Sequence, residues 1–188
     1  MFYLISKPKI MSEEDNNCQV RLPLKDIPFE LQQKIIDLDG RPDLNLYKVL
    51  ANNPTLLRSW IDFAYSLRRN CTTSRQLREL MILRSAQLFN SQYEWFQHEQ
   101  MAKQCGVSIE KIDSIKEWQK SSLFDEKEKV VLELMESLIQ NGGTISEELD
   151  KELKKYFTEA EYLELILTGS FYIMVPTVLK ALQIPIEN

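Results

Sequence analysis

The chain has one histidine, His98, inside the stretch SQYEWFQHE from Ser91 to Glu99. Glu94 stands four residues before it. On a helix that spacing puts both side chains on one face, where a carboxylate can orient an imidazole and stabilise its charged form. A histidine so placed can give or take a proton at a carbon or oxygen acid. The plainer reading of the same pair is a surface histidine in a helix salt bridge. Glu94 also has two readings of its own. A glutamate three residues after a serine completes a capping box with Ser91, reaching back to the amide at the helix start. It can instead face His98 and take part in chemistry. Ser91 reads as an N-cap hydroxyl rather than a nucleophile, because no Ser-His-Asp spacing is present. Tyr93, Trp95 and Phe96 read as core packing or as the wall of a substrate pocket.

Other site chemistries find little footing. One histidine and scattered carboxylates make no defined ligand set, so no metal is expected. There is no glycine loop for phosphates and no dinucleotide fingerprint, so no cofactor is expected. Cys18, Cys71 and Cys105 lie far apart and form no C-x-x-C. An odd, unclustered set of that kind suits a reducing compartment, and the expected location is cytoplasmic.

The elements that must carry this stretch are helices. PFELQQKIIDL and TLLRSWIDFAYSLRRN repeat apolar residues at three and four, the helical period. A short helix is expected before Asn52-Asn53-Pro54. Thr73-x-x-Gln76 is expected to cap RQLRELMILRSAQLF, and Asn90-Ser91 interrupts it. Gly106 should end the helix bearing His98 in a left-handed cap. Ser108 starts IEKIDSIKEW. Asp125-x-x-Glu128, Ser146 and Thr158-x-x-Glu161 open the last three helices. Pro176 should kink or shorten the final one. No period-two alternation is present, and the fold class is all-α with eight to ten helices.

A length of 188 residues suits one domain. The expected division is an N-terminal arm over residues 1–17 and a single domain over 18–188. Met11 offers a second start besides Met1. MFYLISKPKI lacks the form of a secretory leader, and no apolar run is read as a membrane span. With a net charge of −5 and interspersed signs, nucleic acid is not an expected partner. Wide apolar stripes on the helices point to a homo-oligomer, whether dimer, trimer or hexamer.

Residues from about 40 to 182 resemble the carboxymuconolactone decarboxylase superfamily, which includes alkylhydroperoxidase D. The resemblance is strongest in LRELMILRSAQLFNSQYEWFQHEQMAKQCGVSIEKI, Leu77 to Ile112. It implies a multi-helix bundle of the alkylhydroperoxidase D-like type. In the peroxidase branch two cysteines form C-x-x-C and a histidine follows the second by four. Those positions are Ser91, Glu94 and His98 here, so both redox sulfurs are missing. The family's glutamate on the preceding helix matches Glu79. The resemblance therefore implies a Glu79/His98 proton relay, with Glu94 and Tyr93 orienting ring or substrate. It implies a lyase-like enzyme acting on a small organic acid, lactone or related carbonyl compound, rather than a disulfide peroxidase. The alternative is a non-catalytic small-molecule-binding protein on the same scaffold.

Overall fold

The computed structural model describes residues 20–187, which are all-α. Nine α-helices are present among them: α1 Phe29–Asp37, α2 Asn45–Leu50, α3 Pro54–Arg69, α4 Arg75–Leu88, α5 Gln92–Gln104, α6 Ile109–Ser114, α7 Glu126–Gln140, α8 Glu147–Tyr156 and α9 Glu159–Leu182. A 3-10 segment, Ile115–Lys120, continues α6. The expected arm, Met11 and Cys18 lie outside the described residues.

Helix α4 is the axis of the bundle. It packs on α5, α7 and α9, and everything from Arg78 to Ala86 along it is buried. A helix buried on all sides has no solvent face for its charges. Its polar residues are instead clasped by neighbours. Arg78 donates to the carbonyl of Leu67 at the end of α3. Arg84 donates to Glu136 Oε1 at 2.8 Å, and the same oxygen accepts from the Trp118 indole at 2.6 Å. Around this axis the apolar core forms three groups: α1–α3 with the end of α9, α7–α9 with Met81, and α5–α7 with Leu80 and Leu83.

The helix starts follow the capping logic in most places. Asp125/Glu128 and Thr158/Glu161 form complete capping boxes. Thr73 does not cap α4. Ser74 occupies the N-cap without a side-chain bond, because Glu164 of α9 takes the Thr72 and Thr73 amides at 2.8 Å each and fixes that loop.

Helix α9 corrects two expectations. It runs unbroken through Pro176. Proline cannot donate to the carbonyl four residues back, Tyr172, and that carbonyl would be left unpaired in the core. The Ser85 hydroxyl of α4 donates to it at 2.5 Å. A neighbouring helix thus repairs the missing bond. Helix α9 is also long and apolar enough to cross a membrane by length and composition, with mean hydropathy 1.6 over its best window. The uncharged run between Glu164 and Lys180 was not read as such from the sequence. In this fold it packs on α3, α4, α5, α7 and α8, while Leu163, Leu167 and Met174 stay exposed.

Ser85→Ala should cost about 1–2 kcal/mol, because it leaves the Tyr172 carbonyl unsatisfied. In a Pro176→Ala background, where residue 176 regains an amide, the same change should cost clearly less. A double-mutant cycle by urea denaturation measures the difference. Equal costs in both backgrounds would dissociate Ser85 from the proline.

Candidate active site

Helices α4 and α5 form an antiparallel hairpin, and its turn sets the site. The Asn90 amide bonds to Gln87 and the Ser91 amide to Ala86, with Asn90 left-handed at φ 49. This is a Schellman turn that closes α4 and starts α5 at once. Ser91 then caps α5, accepting from the Glu94 amide at 3.4 Å. At the far end Gly106, φ 94, closes α5 in a second such turn, with Val107 bonded to Ala102 at 2.9 Å. At 1.5 Å per residue, Glu79 lies about 13 Å up α4 from the turn and His98 about 10 Å along α5. The two residues therefore lie within about 3 Å of the same height, near enough for their side chains to meet.

His98 Nδ1 lies 2.8 Å from Glu79 Oε2, with both side chains buried. The other Glu79 oxygen is ion-paired with Arg75, one turn earlier on α4, without an aligned hydrogen bond. Donation from Nδ1 to a carboxylate fixes the imidazole tautomer and leaves Nε2 as the working nitrogen. Nε2 faces Glu94 Oε2 at 3.8 Å, too far for a direct hydrogen bond. That oxygen of Glu94 is buried without a partner. The Tyr172 ring of α9 stands edge-on to His98 at 4.9 Å.

The two glutamates are driven in opposite directions. Burial pushes Glu79 upward, but attraction to His98, its hydrogen bond and Arg75 together outweigh burial, and Glu79 is held below its ordinary value. Burial raises Glu94, repulsion from Glu79 adds to it, and His98 only partly offsets it. Raised proton affinity thus falls to Glu94 and not to Glu79, which is completely buried and doubly paired.

An inner cavity of about 60 Å³ opens at this point, lined by Tyr47, Trp60, Arg68, Glu94, His98 and Tyr172 among others. Tyr93 contributes to its wall, but its hydroxyl bonds to Glu187 Oε1 of the C-terminal segment at 2.5 Å. Tyr93 therefore ties that segment to α5 and does not orient His98. Ser91 and Trp95 do not line this cavity. They border a different surface hollow with Gln87 and Asn90, near the start of α5. The capping box at Ser91 is half formed, since the Glu94 side chain points into the site and not back to the helix start. Arg68, Arg75 and Tyr172 were not singled out from the sequence. Arginines near helix ends and an aromatic in an apolar helix carry no signal of their own. Among the described residues no cluster of His, Cys, Asp and Glu is arranged to hold a metal.

Known proteins share this arrangement of helices. Residues 54–137, which include α3, α4, α5 and most of α7, match the carboxymuconolactone decarboxylase family. No curated protein matches the chain. An uncharacterized peroxidase-related protein from Silicibacter sp. TM1040 superposes with a TM-score of 0.77 at 17% identity, over 94% of this chain and 95% of that one. An alkylhydroperoxidase AhpD core protein from Ralstonia eutropha JMP134 gives 0.77 at 13% identity, over 90% and 93%. A variant of the debrominase Bmp8 in complex with 2,3,4-tribromopyrrole gives 0.67 at 17% identity, over 77% of each chain. Residues 54–137 thus resemble the carboxymuconolactone decarboxylase family, and the fold of the chain is the AhpD-like bundle.

Opposite protonation of the two glutamates has opposite consequences for stability. Glu79, held low, contributes stability above about pH 4.5 that is lost as the pH falls through its folded value. Glu94, held high, contributes stability below about pH 4.5 that is lost as the pH rises through its folded value. Glu79→Gln should therefore cost about 3 kcal/mol near neutrality, the scale for breaking one side of a buried pair, with a smaller deficit in acid. Glu94→Gln should be at least as stable as wild type near neutrality, and that advantage should fade toward acid. Urea unfolding of the three proteins between pH 4 and 8 tests both signs.

Proposed function

We propose that this protein is a carboxymuconolactone decarboxylase-like enzyme that moves a proton on a small organic acid, lactone or related carbonyl compound. The observation that carries this reading is the open Nε2 of His98, held between a paired carboxylate at Nδ1 and a buried, unpartnered acid. His98 shuttles the proton at Nε2. Glu79 fixes the ring, and Glu94, whose oxygen stands 3.8 Å from Nε2, exchanges a proton with a substrate atom seated between the two groups. Decarboxylation requires only that the carbanion left behind be stabilised and protonated, which proton donors in a dry cavity can provide.

A disulfide peroxidase cycle does not suit these residues. It needs a thiolate to attack and a second thiol to resolve. Ser91 and Glu94 stand where the branch has cysteines. Cys71 and Cys105 are free, and burial raises both thiols. A second reading, small-molecule binding without turnover, is favoured by the small volume of the inner cavity, about 60 Å³. The exposed Leu163, Leu167 and Met174 on α9 support a homo-oligomer in which a second copy covers that stripe. The reducing chemistry of free cysteines supports a cytoplasmic setting.

The test is a panel of small β-keto acids and carboxylated lactones, followed by carbon dioxide release and by solvent deuterium in the product. His98→Gln should keep the fold and lower turnover on the order of 100-fold or more. Ser91→Ala should cost about 1 kcal/mol of stability and leave turnover within a few-fold. If His98→Gln lowers the melting temperature while turnover is kept, the pair is structural. Stoichiometric binding of a panel member without product would favour the second reading. Light scattering that returns a mass near 22.1 kDa at micromolar concentration would count against the oligomer.

A further inference from the structure

A second, larger cleft of about 380 Å³ opens to the surface beside the inner cavity, lined by Arg68, Arg69, Arg75, Met101 and Cys105 among others. Arg68 and Met101 line both spaces and form the neck between them. The three arginines there are not equivalent. Arg69 is ion-paired with Asp39 at 2.6 Å, and Arg75 with Glu79. Arg68 is partly buried, and among the described residues no carboxylate comes within ion-pair distance of it. Its contacts are the Met101 sulfur at 3.7 Å and the face of the Tyr65 ring at 5.0 Å, and Glu79 and Glu94 act on it only from beyond ion-pair distance. A thioether is a weak acceptor and a ring face satisfies none of the five guanidinium donors as a carboxylate would. Taking a charge partly out of water without an anion is costly unless something supplies one.

We infer that Arg68 is the ligand anchor of this site, holding the carboxylate of a small anionic molecule at the neck between cleft and inner cavity. The planar guanidinium fork matches a carboxylate in two parallel hydrogen bonds. The sizes agree with this division. A closed cavity of roughly 150 Å³ takes a benzene ring, so the inner cavity is too small for a ring and the outer cleft is ample for one. An anion held at the neck lays its body in the cleft and directs the atoms next to its carboxylate toward His98 Nε2 and Glu94. Tyr65 holds Arg68 in place. A Cβ at Gly40 would collide with the Tyr65 hydroxyl, so only glycine at that position lets the ring lie where it does. The chemistry after binding rests on the proton-transfer reading, but the anchoring itself is read by binding alone.

The experiment is isothermal titration of the full chain with benzoate and with its neutral counterpart benzamide at low salt. Wild type should bind benzoate at least ten times more tightly than benzamide. Arg68→Gln should erase that preference, and Arg68→Lys should restore only part of it, since an ammonium lacks the fork. Arg69→Gln, which removes a charge in the same cleft, should change benzoate affinity no more than two- to three-fold. The melting temperature of each variant separates lost binding from lost folding. The anchor is overturned if wild type shows no preference for benzoate, if Arg68→Gln binds it as wild type does, or if Arg69→Gln loses as much as Arg68→Gln. None of these results touches the turnover comparison of His98→Gln, so the two ideas fail separately.

Discussion

The carboxylate of Glu79 lies at the centre of the bundle, on the helix with the least access to water. An isolated charge there would be costly by several kcal/mol, so the fold must bring cations to it. Arg75 comes from the same helix and is ion-paired with one oxygen. His98 satisfies the other, and it comes from α5. The α4–α5 hairpin must therefore hold its register to within about one residue, since a slip would carry the ring past the carboxylate. The two Schellman turns at Asn90 and Gly106 fix both ends of α5 and hold that register. Arg84 with Glu136 and Ser85 with the Tyr172 carbonyl lock the same helix to α7 and α9. An apolar core alone would let these helices slide. The polar clasps along α4 give them one position.

The same burial acts differently on Glu94, and the contrast separates the parts of the site. Both glutamates are buried within a few ångströms of one imidazole. Glu79 has a hydrogen bond from His98 and an ion pair with Arg75, and it is held below its ordinary value. Glu94 has a longer approach to the ring and an orphaned oxygen, and it favours its proton. Pairs of acids whose environments push them apart are the arrangement in which one group orients and the other exchanges a proton.

Much of the scaffold was legible in the sequence because it rests on local rules. Helical periodicity and the Asp125 and Thr158 capping boxes depend on residues three or four apart. Glu94 shows where local rules stop. Serine followed three residues later by glutamate is the spacing of a capping box and also of a side chain aimed inward, and only the packing of α5 on α4 decides between them. Thr73 failed as a cap for the same kind of reason, because Glu164, 91 residues away, took its amide. Pro176 kept its helix because Ser85 came from α4. Arg68 and Tyr172 reach the cavity from α3 and α9, and no spacing within either helix marks them. Trp95 and Ser91 were grouped with His98 by proximity in sequence, and they border a separate hollow at the α4–α5 turn.

In the peroxidase branch the reacting atoms are two sulfurs, and the histidine and glutamate serve them. With serine and glutamate at those positions, the proposed mechanism keeps the relay and changes what it acts on. Ser91 caps α5. In the proposed mechanism Glu94 places an acid oxygen where the relay meets the cavity, so the particle exchanged there is a proton and not a sulfur electron pair. An acid in that place works only if the cavity excludes water, since hydration would return Glu94 to its ordinary ionised state. Tyr47, Trp60, Phe171 and Tyr172 give the cavity an aromatic lining that limits hydration, and the C-terminal segment is fastened nearby through Glu187 to Tyr93, Gln97 and the Asn45 amide. In the proposed mechanism the aromatic wall is thus part of the acid chemistry, because the burial it provides raises the proton affinity of Glu94.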